Sequence, residues 1–187
     1  MSQNTPQPRT VTAQKEGFDI KDLILLAILL AAGFILNLTV GKAISAASGG
    51  AIAPEFIISA FCLTILVVRP TIGQALVMGL ISAAVIQITT TSPGIDFVAE
   101  AVAAMAMAAI VKAGSGTAAQ RLVPAAGTFV TTFLSGAIFM VIKMALMGFA
   151  LELAGLMLPV IALTSVFNAV LVGALYIPIT RALGLED

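Results

Sequence analysis

Long apolar runs separated by short polar breaks fill this chain from residue 18 onward, and they constrain its fold more than any motif does. Several approach the ~20 residues that carry a helix across a bilayer. Composition agrees: 60% of the residues are hydrophobic and 10% charged, against about 45–50% and about 25% in a soluble domain. Mean hydropathy is +1.13. The expectation is an all-α membrane protein. Residues 1–17, "MSQNTPQPRTVTAQKEG", are polar and read as a disordered cytoplasmic tail. They do not read as a cleaved signal, because the apolar run that follows is too long for one. Residues 18–187 read as one transmembrane domain.

Six spans are expected, at about 21–40, 54–68, 72–90, 95–112, 121–149 and 156–183. A Gly/Ser/Ala loop, Gly41 to Ala53, joins the first two. Pro54 opens the second span, Pro159 falls in the first turn of the sixth, and Pro178 lies near its end. Spans two to four are rich in Ala and Gly, which lets helices approach closely. An inside N-terminus puts Arg9, Lys15, Lys21, Arg69, Lys112, Arg121 and Arg181 in the cytoplasm, and Lys42 and Lys143 outside. This positive-inside asymmetry fits six spans with both termini cytoplasmic.

Glu55, Asp96, Glu100 and Glu152 then fall outside, and "ITTTSPGIDFVAE" becomes the external turn between spans three and four. Polarity is concentrated there. Thr90 and Thr91 either cap the end of a helix or line a cavity, where irregular backbone at membrane depth is tolerated. Asp96 and Glu100 share a face of the fourth helix. A helix N-terminus favours Asp96, but two acids four apart repel unless a cation relieves them. Lys143 reaches the outer interface and either snorkels there or binds a carboxylate over the cavity. Gln87 and Asn168 sit deeper and need partners in hydrocarbon. Gln87 is the better ligand candidate; Asn168 either contacts ligand or ties helices together. Phe97 and Phe139 either stack on a ring or pack the bundle.

Several chemistries lack their residues. Without histidine, the commonest transition-metal ligand and proton shuttle is missing. The one cysteine, Cys62, lies in an apolar run, and no GxxxxGK[ST] loop is present. An enzyme is not expected, nor a metal, a cofactor or a nucleic-acid partner.

Ala27-x-x-x-Ala31 in the first span, the last span "VFNAVLVGALYIPITRAL", Pro54-Glu55 opening the second, and the turn Thr90-Thr91-Ser92-Pro93-Gly94 together carry a resemblance. Over roughly residues 20–183 the chain resembles the S components of energy-coupling factor (ECF) transporters, the substrate-binding membrane subunits of vitamin importers. It is most similar to their tryptophan-transporter branch, and departs from it just after the turn, at "IDFVAEA". The resemblance implies a subunit in a prokaryotic cell membrane that captures a small vitamin-like or aromatic amino-acid-like solute at its outer face. It also implies a transmembrane coupling subunit and two ATPase subunits as partners, with Ala27 and Ala31 contacting the coupling subunit. The competing expectation is an autonomous small secondary transporter or channel.

Overall fold

The structure is a computed structural model and describes residues 19–147 and 152–185. The expected N-terminal tail lies outside them. Every regular element among the described residues is helical.

Helix α1 (Ile20–Leu36) starts at Asp19, whose carboxylate accepts from the Lys21 backbone N–H at 3.2 Å. It runs through one π-helical turn (Asn37–Gly41) into α2 (Lys42–Ala47), giving 28 continuous helical residues. The expected loop from Gly41 is therefore much shorter. Its first residues, "KAISAA", are mostly ready helix formers, and the run stops only where Gly49 and Gly50 adopt φ of 62° and 84°. α3 (Phe56–Val68) ends at Arg69, which is left-handed. α4 (Ile72–Ile86) opens on a capping box in which Thr71 and Gln74 satisfy each other's backbone N–H groups. It ends earlier than expected: the N–H groups of Thr89 and Thr90 both turn back to the Ile86 carbonyl at 3.0 Å.

α5 (Ile95–Gly114), a 3₁₀ turn (Ala118–Leu122), α6 (Val123–Met147) and α7 (Glu152–Ala182) complete the fold. Pro159 lies inside α7, not in its first turn, and the helix continues through it and through Pro178. Each proline costs one intrahelical hydrogen bond without ending the helix.

Helix α3 is the axis of the bundle. Every residue from Phe56 to Leu66 is buried, so α3 shows no outward face over that length. It packs against α1, α4, α5, α6 and α7. Leu26 and Leu30 of α1, Met78 of α4, Met107 of α5 and Val172 of α7 close around it. Elsewhere, large apolar side chains such as Ile28, Val130, Leu156 and Val170 stand exposed on the outside. In water that pattern is unfavourable; in lipid it is the expected outer surface.

Four helical segments are long and apolar enough to cross a membrane: 20–47, 95–114, 118–146 and 154–182. The chain is thus an all-α bundle of membrane-protein character. α3 and α4 have 13 and 15 residues, about 20–22 Å at 1.5 Å per residue.

Candidate functional site

One end of the bundle gathers the C-terminal ends of α1 and α4, the N-terminal ends of α3 and α5, and the facing halves of α6 and α7. Between them lies a cavity of about 430 Å³. At the opposite end a crevice of about 20 Å³ lies beside Arg69, Gly114 and Tyr176.

The α4–α5 turn builds the acidic wall. Gly94 takes φ 88°, a conformation glycine adopts without a Cβ clash. Its N–H donates to Gln87 Oε1 at 3.0 Å, while Gln87 Nε2 donates to Asp96 Oδ2 at 3.1 Å. One amide therefore fixes both the turn and the carboxylate. The Ser92 N–H donates to Thr90 Oγ1 at 3.2 Å, which holds Thr90 at the rim.

Helical periodicity carries the wall downward. Asp96, Ala99, Glu100, Ala103, Ala104 and Met107 form one buried stripe. Asp96 is 6% exposed and Glu100 3%, and both line the cavity. Close approach of α4 and α5 supports the second turn: a Cβ on Gly79 would lie 2.6 Å from the Glu100 carbonyl oxygen. Ser135 of α6 donates to Glu100 Oε1 at 2.8 Å. Glu100 Oε2 is buried and has no hydrogen-bond partner.

A third carboxylate, Glu55, enters from the start of α3. Asn37 Nδ2 in the π-helical turn donates to its Oε2 at 3.4 Å, and Asn37 Oδ1 accepts from the Phe56 N–H at 2.7 Å. Asn168 of α7 is fully buried behind it. Its Nδ2 donates to the Glu55 carbonyl at 3.1 Å and to Thr132 Oγ1 at 3.3 Å, and its Oδ1 accepts from the Glu55 N–H at 3.4 Å. Thr164 Oγ1 accepts from the Ala53 N–H at 3.1 Å. Ile58, Ile86, Phe139, Met157, Val160 and Ile161 make up the apolar part of the wall. A few placed polar groups on a mostly apolar lining are what a small-molecule site needs.

Of the residues picked out from the sequence, Thr90, Thr91, Asp96, Glu100 and Phe139 meet at this cavity. Gln87 stands behind Asp96 as its support. Asn168 is a tie between α7, α6 and the start of α3, and does not line the cavity. Phe97 does not belong to the site. It lies about 100° around the helix from Asp96 and is 37% exposed on the outer face. Lys143 also lies off the lining, with its Nζ 5.3 Å from the centroid of the Phe139 ring. That cation–π contact holds it beside the wall. Ala27 and Ala31 are exposed on α1, away from the cavity.

Sequence reading missed Glu55, Asn37, Thr132, Ser135 and Thr164 as lining residues. Each sits alone in or beside an apolar run, and its partner is distant in the chain; the isolated polarity was the only available signal. No three acids, cysteines or histidines among the described residues lie close enough to hold a metal ion.

No family model, curated protein or solved structure matches this chain.

Proposed function

We propose that this chain is the solute-capturing membrane subunit of an ECF-type ATP-driven importer. The observation that carries this reading is the cavity at one end of the bundle, with a buried, unpartnered Glu100 oxygen at its wall. A buried polar atom with no partner is costly, and a ligand that meets it recovers that cost on binding. Further support comes from charge. Lys21, Arg69, Lys112, Arg121 and Arg181 lie toward the end away from the cavity, and Lys42 and Lys143 toward the cavity. By the positive-inside rule the cavity then faces outward, with six spans and both termini in the cytoplasm of a prokaryotic cell.

The chain has no nucleotide-binding loop, so energy has to come from partners: a transmembrane coupling subunit and two ATPases. Ala27 and Ala31, exposed on α1, offer a low-relief surface for the coupling subunit. Native mass spectrometry of the purified protein is the direct test and should show a co-purifying small molecule. Uptake into liposomes should require the ATPase module. The autonomous secondary transporter remains the second reading, favoured by the burial of Asp96 and Glu100, because ion coupling uses membrane-embedded acids. Uptake by this chain alone would select it.

A further inference from the structure

The charge of the cavity defines its occupant more narrowly than solute capture alone. Among the described residues three carboxylates line it, from Glu55, Asp96 and Glu100, and no lysine or arginine does. The acids have neutral donors: Asn37 for Glu55, Gln87 and Thr90 for Asp96, and Ser135 for Glu100. Amides and hydroxyls orient these oxygens but do not cancel their charge. Acids held in a low-dielectric site call for cationic compensation. Lys143 attracts Asp96 electrostatically, but it is not among the lining residues, and its Nζ sits over the Phe139 ring, 5.3 Å from the centroid. Glu100, 3% exposed as a residue, lines the cavity, and its Oε2 is buried without any donor.

A metal ion does not fit this arrangement. Hard cations take six or more oxygens at about 2.0–2.6 Å, and the acids do not cluster that closely. The apolar part of the lining comes from Ile58, Ile86, Phe139 and Ile161. The volume of about 430 Å³ holds roughly a dozen water-sized groups.

We infer that the cavity takes a small organic cation: a molecule with an apolar body, an ammonium or amidinium group and no carboxylate, whose N–H groups donate to the carboxyl groups of Glu100 and Asp96. This rests on the cavity being a solute site. Charge-assisted hydrogen bonds to the two acids hold the cationic end, and the apolar wall takes the body. A solute with its own carboxylate would stand against three carboxyl groups, with no cation among the described lining residues.

The test uses the full chain in lipid nanodiscs and calorimetry with one ring in three charge states: tryptamine, tryptophan and indole-3-acetate. Magnesium chloride serves as the metal alone. Tryptamine should bind at least about tenfold more tightly than tryptophan, a difference of about 1.4 kcal/mol, and the anion and magnesium should not bind. Glu100→Gln should weaken tryptamine binding by at least about tenfold, the loss expected when a charged acceptor is removed. Phe97→Leu, outside the cavity, should leave it unchanged. If Glu100→Gln lowers the melting temperature sharply, Glu55→Gln takes its place. Equal or tighter binding of tryptophan or indole-3-acetate overturns the cation inference and leaves solute capture standing. Magnesium binding without tryptamine binding overturns it in favour of a metal. Failure of all four probes overturns it too, and solute capture falls with it if no small molecule co-purifies.

Discussion

Two acids four residues apart, Asp96 and Glu100, were legible from helical spacing alone, and both face the cavity. Gln87, which orients Asp96, was also picked out, whereas the partners of Glu100 and Glu55 were not. Ser135 is 35 positions from Glu100 and Asn37 is 18 from Glu55, and a linear pattern carries no information about such pairs. Phe97 does not line the cavity for a related reason: the neighbour of a lining residue on a helix points elsewhere. These contacts make a residue-level prediction. Asn168→Ala removes partners from the Glu55 N–H and carbonyl at once and should destabilise the protein by about 1–3 kcal/mol, read by chemical unfolding in mixed micelles. Lys143→Met, off the lining, should change solute affinity far less than the roughly tenfold loss given by removing a charged hydrogen-bond partner.

At the scale of elements, the existence of the helices followed from apolar run length. Their ends did not, because glycine geometry and single hydrogen bonds decide them. α4 stops at Ile86, four residues before the expected end, and the freed threonines Thr89, Thr90 and Thr91 become cavity rim. The contact between α4 and α5 sets the height of that rim. A Cβ on Gly79 would also come within 2.9 Å of Ala104 Cβ, while one on Gly73 meets nothing. Gly79→Ala should therefore push the helices apart, cost about 1–3 kcal/mol and weaken solute binding by displacing Glu100. Gly73→Ala, in the same helix, should be neutral or stabilise by about 0.5–1 kcal/mol. Thermal unfolding of the two variants side by side distinguishes packing from helix propensity.

At the scale of the whole molecule, apolar composition identified the bundle, while the central position of α3 had no sequence signature, since an apolar run reads the same whether it faces lipid or protein. Topology is open to thiol labelling with little background, because Cys62 is buried. Cysteines placed at 115–117 should resist an impermeant reagent in intact cells, and one at Gly49 should react. Ala31→Trp should abolish uptake and leave binding intact, measured by transport and calorimetry on the same variant, because no described residue of α1 lines the cavity, which begins at Asn37 just beyond its end. The enclosed α3 also has a consequence for biosynthesis. It leaves the ribosome before most of the helices that wrap it, and domains assemble N-terminal part first. A nascent chain ending before residue 152 has α1 to pack on α3 but not α7. The Glu55 backbone then lacks Asn168, and one flank of α3 borders lipid or the insertion machinery. Final assembly waits for the last helix, so a truncated product is a substrate for membrane quality control rather than a smaller working protein.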